Sequence, residues 1–210
     1  MDLTFMKCIV ILSVFVLCVF FFINYIAKSR KVSINVVDEL RKDIMNRSGL
    51  KTKVIIKKCS PCYNIEDDII EINEENNIRT LAEGYHEWGH AIYNRRFVGS
   101  DVTFCGPVIS FIYKYIAVFA ICSTLVTSII EKYYLVSLLL CMLELWLITN
   151  DLKEEISSSI TGYYHLKNKP FLNKIDIMLV KLSLFSALLT YILIFVITII
   201  LILVNLGFFV

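Results

Sequence analysis

Four long apolar runs alternate with two polar segments along the 210-residue chain. The first run extends from Cys8 to Ala27 and carries no charge. The runs Pro107 to Ile130 and Tyr133 to Thr149 contain one charged residue each, and Leu182 to Val204 is the last run. A helix needs about 20 apolar residues to cross a bilayer. The pattern therefore predicts about four transmembrane helices.

The charges beside the first run predict its orientation. A cleaved signal peptide would explain this run less well than a retained anchor, because it is long, follows Asp2, and has no small-x-small cleavage site before Lys28. Lys28, Arg30 and Lys31 follow it directly. Basic residues flanking a span favour the cytoplasm. We therefore predict that both polar segments are cytoplasmic and that the turn at 131–132 faces outward.

These features predict a multi-pass α-helical membrane protein with a small cytoplasmic α+β domain. Its five predicted regions are an N-terminal anchor (1–27), the cytoplasmic α+β unit (28–106), a transmembrane hairpin (107–149), a second cytoplasmic segment (150–177) and a C-terminal transmembrane helix (178–210).

The polar segment 28–106 shows short elements of both kinds. Apolar residues at helical spacing predict a helix within Ile34 to Arg47. Strands are expected at Lys53 to Lys58, which is β-branched, and around Ile69 to Ile72. Cys59 to Asn64 has turn chemistry. A further helix is predicted from about Ile78 to Phe97, with Asn76 or Asn77 as its N-cap.

The helix predicted at 78–97 carries the sequence His86-Glu87-Trp88-Gly89-His90. Residues i and i+4 of a helix lie on one face, so both histidines can point at one metal ion. Two imidazoles with an adjacent carboxylate, in the order His-Glu-x-x-His, are typical of zinc proteases. Glu87 is the expected general base, and the expected cofactor is a single catalytic Zn²⁺.

A catalytic zinc needs a third protein ligand. The chain has three histidines, so the candidates are His165 or an acidic residue. Small residues follow Glu155 at +3, +4 and +7, and would let its helix pack against the motif helix. We therefore favour Glu155 over Glu154, whose helix face is less uniform. Asp151 and Glu144 share the face of Glu155 and could orient a histidine ligand.

The arrangement resembles the neutral zinc metallopeptidases of the YugP-like membrane family. The matching residues are His86, Glu87, Gly89, His90 and Ala91, together with Glu155 and the small residues after it. The family has Gln where this chain has Tyr93. The resemblance implies a gluzincin-type endopeptidase with a zincin-like domain, and zinc ligands His86, His90 and Glu155.

Hydrolysis also requires a donor to the developing oxyanion. His165, Tyr163 and Tyr164 are candidates because they follow Glu155 closely in sequence. The residues themselves do not favour one of the three.

Composition supports the membrane interpretation and limits other roles. The chain is 57% hydrophobic, against about 45–50% in ordinary soluble domains. A net charge of +2 gives no case for nucleic-acid binding. Cys59 and Cys62 form one C-x-x-C without a second pair in the polar segments, which favours a turn with reduced thiols over a redox or metal role. Lys114 and Glu144 are expected to snorkel to the interface or to pair with each other.

Two other functions compete with a metallopeptidase at the membrane. An intramembrane site-2-type protease would bury its motif in a spanning helix, but Glu83 lies too close to the motif for that. A membrane scaffold or sensor could retain the metal site without catalysis. The expected partners are the bilayer and a peptide or membrane-protein substrate, and the predicted location is the cell membrane with the site at its cytoplasmic face.

Overall fold

Helices dominate the described part of the chain, and a three-stranded sheet accompanies them. The computed structural model describes residues 3–47, 51–58, 61–65, 67–97 and 134–205. The elements are α1 (Leu3–Ser29), α2 (Val36–Asn46), β1 (Lys53–Ile56), β2 (Cys62–Asn64), β3 (Ile69–Ile72), α3 (Ile78–Phe97), α4 (Tyr134–Leu166) and α5 (Lys174–Asn205).

The chain divides into two units. One comprises Met1–Leu17, Ser100–Lys153 and Thr190–Val210, and the other comprises Cys18–Gly99 and Glu154–Leu189. The second unit contains the sheet, α2, α3 and the end of α4. All of the histidines lie in it.

The second unit has a hydrophobic core built around α3. The apolar face of α2 packs there because Val36, Val37, Leu40 and Ile44 recur at helical spacing and are all buried. The Asn35 side chain caps α2 by accepting hydrogen bonds from the backbone N–H groups of Val37 and Asp38. Further core residues come from the sheet, α3, the end of α4, the loop after it and α5: Val54, Ile70, Ile72, Ile78, Leu81, Tyr85, Trp88, Ile92, Leu166, Leu172, Val180 and Leu184.

The sheet has the order β1-β3-β2, with β1 parallel and β2 antiparallel to β3. The two predicted strands are present, although β1 ends at Ile56. The turn predicted over Cys59 to Asn64 is wrong in part, because Cys62–Asn64 forms β2. Tyr63 pairs with Ile70 in the ladder. This pairing is set by β3, and residues 61–64 alone carry no strand signal.

The helix that carries the motif has the predicted bounds, Ile78–Phe97. Its start is fixed by Asn77, whose side-chain oxygen accepts a hydrogen bond from the backbone N–H of Thr80 at 2.8 Å. Asn76, the other cap candidate, instead accepts from the backbone N–H of Val36 at 3.0 Å. This second bond joins the start of α2 to the segment that precedes α3.

Two helices, over Leu135–Leu166 and Lys174–Leu203, are long and apolar enough to cross a membrane. Only 22% and 12% of their most apolar windows are buried, so many apolar side chains point outward, including Leu139, Met142 and Trp146. The described apolar stretch of α1, Ser13–Ser29, is shorter. The first arm of the predicted hairpin, 107–130, lies outside the described residues.

One helix, α4, crosses the boundary at which the predicted span ended. The apolar run ends at Thr149, and a helix carrying Glu155 was expected in the segment 150–177; α4 is continuous from Tyr134 to Leu166. No proline or glycine interrupts it before Gly162, so nothing in the chain breaks the backbone ladder. Glu154 and Glu155 are therefore held on an unbroken helix.

Glu144, which was expected to snorkel or to pair with Lys114, is buried in the structure. Its side chain is 3% exposed and lies within hydrogen-bonding reach of the hydroxyl of Thr198 on α5. A carboxyl buried between helices needs such a partner. Lys114, the other residue of the expected pair, lies outside the described residues.

Candidate metal centre

One face of α3 is apolar and buried, and another carries the histidines of the motif. Leu81, Tyr85, Trp88 and Ile92 recur at helical spacing and are buried in the core. The histidines of the motif are offset from this series, and their side chains remain 13% exposed. The apolar face thus anchors α3, and the polar face presents its imidazoles toward α4.

Two glycines bring α3 and α4 into close contact. A Cβ atom placed on Gly89 would lie 2.4 Å from the carbonyl oxygen of Ser158. A Cβ on Gly162 would lie 2.8 Å from the carbonyl oxygen of Tyr85. Because the neighbouring atoms belong to the backbone, a side chain at either position would force the two helices apart. The predicted close packing of the helix that carries Glu155 is present, and each helix contributes one of the glycines.

The crossing gathers three ligand atoms at one point. His86 Nε2 lies 3.0 Å from His90 Nε2 and 3.0 Å from Glu155 Oε2. His90 Nε2 lies 3.6 Å from Glu155 Oε1. We refer to His86, His90 and Glu155 as the metal-ligand group, since one ligand atom from each lies within 4.8 Å of the other two and the three could hold a metal ion.

These separations suit a tetrahedral metal. With metal–nitrogen and metal–oxygen bonds of about 2.0–2.2 Å, two ligands of a tetrahedral ion are about 3.3–3.6 Å apart. The observed distances of 3.0–3.6 Å lie within a few tenths of an ångström of that range. Two imidazoles and one carboxylate are also a donor set of catalytic zinc sites. The residues therefore fit zinc.

The other nitrogen of each imidazole is also occupied. Glu154 Oε1 lies 2.9 Å from His90 Nδ1, and Ser159 Oγ lies 3.2 Å from His86 Nδ1. Such partners hold the proton on Nδ1 and leave Nε2 for a metal. Sequence reasoning had set Glu154 against Glu155 as the third ligand and had not assigned a role to Ser159. The only sequence feature that indicates a carboxylate beside His90 Nδ1 is the pair of consecutive glutamates, Glu154 and Glu155.

Charge around the site raises the pKa of His90. Burial alone would lower the pKa of this imidazole. The hydrogen bond to Glu154 and the nearby charges of Glu87 and Glu155 outweigh burial and raise it. Three carboxylates therefore lie close to the imidazoles, and their negative charge favours a cation at the point where the imidazoles meet.

The motif glutamate, Glu87, is positioned by β2. Its carboxylate accepts a hydrogen bond from the backbone N–H of Tyr63. Burial raises the pKa of Glu87, while the charges of His86 and His90 act to lower it. A raised pKa brings a carboxylate closer to neutral pH, where a general base works best. The strand missed by sequence analysis thus contributes directly to the site.

Three further candidates lie outside the metal-ligand group. The ring of His165 lies against Trp88, tilted by 42° with the centroids 4.2 Å apart, and its Nε2 accepts a hydrogen bond from Arg47 at 2.7 Å. Tyr163 packs against the core. Asp151 lies on α4 in the other unit. Tyr164, the remaining oxyanion candidate, is 57% exposed and lies under the ammonium group of Lys167.

A small cavity of about 80 Å³ adjoins His86. Asn24 of α1, Glu83 of α3 and Ser183 and Leu184 of α5 contribute to its walls. Several of the side chains that line the cavity are polar. The cavity therefore leaves space beside His86 for a few atoms.

Comparisons of the chain with protein-family models, with curated proteins and with solved structures find no match. The resemblance to the YugP-like membrane family therefore stays a prediction that rests on the motif residues.

Proposed function

We propose that this chain is a membrane-bound, zinc-dependent metallopeptidase of the gluzincin type. The observation that carries the proposal is the meeting of His86, His90 and Glu155 beside Glu87. Their ligand atoms lie within 4.8 Å of one another on two closely packed helices. Two histidines, a distant carboxylate and an adjacent glutamate are the side chains that peptide hydrolysis at zinc requires.

Each residue has a stated task in the proposed reaction. His86, His90 and Glu155 would hold zinc, which when bound acidifies a water molecule and polarises a substrate carbonyl. The carboxylate of Glu87 takes up the proton released by the attacking water and passes it to the nitrogen of the leaving amine. Glu154 and Ser159 keep the two imidazole rings in the orientation that this geometry needs.

The membrane is part of the proposal. The apolar outer faces of α4 and α5 support spans, and the polar segment with the motif would lie at the cytoplasmic face of the cell membrane. The described α3 carries Arg79 and Glu83, which form an ion pair of 2.7 Å one to two turns before the motif. Such a helix suits the membrane surface better than the intramembrane site of a site-2-type protease.

Glu87→Gln tests the proposal. We expect the purified variant to retain its zinc, because Glu87 does not belong to the metal-ligand group, and to lose cleavage of a quenched-fluorescent peptide library. Removing the general base costs at least about 10²–10⁴-fold in rate. Metal analysis and peptide turnover are measured on the same preparation. Cleavage at the wild-type rate in Glu87→Gln would contradict the proposal.

The competing function is a zinc-binding scaffold or sensor. It predicts that wild type holds zinc and that no peptide in the library is cleaved. The matched variant Glu74→Gln changes an exposed glutamate of the same unit, and it should behave as wild type in both measurements under either function.

A further inference from the structure

An apolar groove lies between the site-proximal parts of α4 and α5. It has a volume of about 290 Å³. Its walls include Ile160 and Tyr163 from α4, and Leu184, Phe185 and Leu188 from α5. The side chains of Ile160 and Phe185 are about half exposed, at 50% and 49%. A groove with this lining favours an apolar occupant.

The groove adjoins the metal-ligand group through one of its wall residues. Ser159 forms part of its wall, and the hydroxyl of Ser159 lies 3.2 Å from His86 Nδ1. Leu184 lines both this groove and the small cavity that contains His86. A molecule bound in the groove would therefore lie one side chain, that of Ser159, away from His86.

The rim of the groove is basic. Lys181 lies in its lining, and the ammonium group of Lys167 lies 4.0 Å from the ring centroid of Tyr164, another wall residue. Tyrosine and lysine together are typical of a membrane–water interface. Positive charges at the rim favour an occupant with acidic groups next to its apolar part.

We propose that the groove binds an apolar polypeptide segment flanked by acidic side chains, and thus that the substrates are membrane-inserted chains. This inference rests on the proposed peptidase function for the cleavage step but not for binding. A volume of about 290 Å³ is near the lower end of the roughly 300–1,000 Å³ of ligand pockets. It accommodates a few side chains rather than a whole phospholipid.

Photo-cross-linking tests the occupant directly. The full-length, zinc-loaded Glu87→Gln protein carries benzoylphenylalanine in place of Phe185 and is reconstituted in phosphatidylcholine vesicles. The probe is a synthetic peptide with a Leu/Ala span followed by Glu residues. We expect a cross-link to this peptide, and a weaker one when Lys replaces its Glu residues. Benzoylphenylalanine in place of Met178, an exposed residue of α5 outside the groove, is the matched control and should not react.

Cleavage by the active protein provides the second measurement. We expect kcat/KM for the span peptide to fall about tenfold in Phe185→Ser, since a lost apolar contact in a pocket costs roughly 10–200-fold. Zinc content should be retained, and Met178→Ser should behave as wild type. Cross-linking only to phospholipid, or equal reaction at positions 178 and 185, would overturn the groove assignment.

The two proposals fail in different ways. A groove-specific cross-link without any cleavage by wild type would support the proposed binding of a polypeptide in the groove and contradict the proposed peptidase function. Cleavage of the span peptide without a cross-link at position 185, and without an effect of Phe185→Ser, would retain the peptidase and contradict the groove.

Discussion

Glu154 and Glu155 are neighbours in sequence, yet their carboxylates meet different nitrogens of the two histidines. Successive residues of a helix point about 100° apart. Glu155 therefore reaches the Nε2 atoms at 3.0 and 3.6 Å, and Glu154 reaches His90 Nδ1 at 2.9 Å. One turn of α4 thus supplies both a ligand and the partner that orients another ligand.

This division of roles predicts a graded response to Glu154→Gln. The amide still fills the space but loses the charge that holds the proton on His90 Nδ1. Removing such a partner typically costs about 10–100-fold in metal affinity. We expect that loss in a competition titration with a chromogenic zinc chelator, together with retained folding. An affinity equal to that of wild type would contradict the role of Glu154.

At the residue scale, the sequence predicts part of the site. The His-Glu-x-x-His spacing identifies His86, Glu87 and His90, and the small residues after Glu155 favour it as the third ligand. The partners of the Nδ1 atoms depend on the angle and depth at which α3 and α4 cross. Sequence periodicity does not fix those quantities, so Ser159 was not identified.

At the element scale, the contact between α3 and α4 determines whether the site exists. Gly89 faces the backbone of Ser158, which cannot move without moving the whole helix. Gly84, on the same helix, faces the end of the Ile72 side chain, at 2.6 Å from an added Cβ. A side-chain end can change its rotamer, so the two glycines should differ in their tolerance of alanine.

We therefore predict opposite outcomes for two matched substitutions. Gly89→Ala should separate the helices, cost about 1–3 kcal/mol through overpacking, and reduce zinc occupancy because Glu155 moves away. Gly84→Ala should retain zinc, and its helix propensity gain of about 1 kcal/mol offsets part of the local strain. Thermal unfolding and metal content measure both effects. Full zinc occupancy in Gly89→Ala would show that close contact is not required.

The elements differ in how well their sequences predict them. The bounds of α3 follow from its apolar spacing and its Asn cap, and Ile69–Ile72 alternates as a strand should. The strand β2 was missed because it has three residues and is specified by its pairing with β3. The polar residues after Thr149 end the apolar run but not α4, because no proline or glycine follows them before Gly162.

At the scale of the whole molecule, the prediction of four transmembrane helices rests on the four apolar runs. Two of the described helices are long and apolar enough to cross a membrane. The predicted orientation of the chain in the membrane depends on the basic residues that follow the first apolar run. This orientation would put the sheet on the cytoplasmic side. The internal packing of the molecule is the same for either orientation in a membrane. A chemical probe of sidedness is therefore needed.

Cys62 provides that probe, because it is an exposed cysteine on β2. We expect a variant that retains only Cys62 to be protected from a membrane-impermeant maleimide in intact cells and to be labelled after lysis. A cysteine introduced at positions 131–132, where the sequence predicts an outward-facing turn, should be labelled in intact cells. Labelling of Cys62 in intact cells would reverse the predicted orientation.

The central claim is that residues from two distant parts of the chain form one zinc site. The most direct test is the metal content of the purified wild type compared with Glu155→Ala and Glu154→Ala. We predict one zinc ion per wild-type chain, loss of zinc in Glu155→Ala, and zinc that is bound more weakly but still detectably in Glu154→Ala. Unchanged zinc in Glu155→Ala, or a wild-type chain that binds no zinc, would contradict the account.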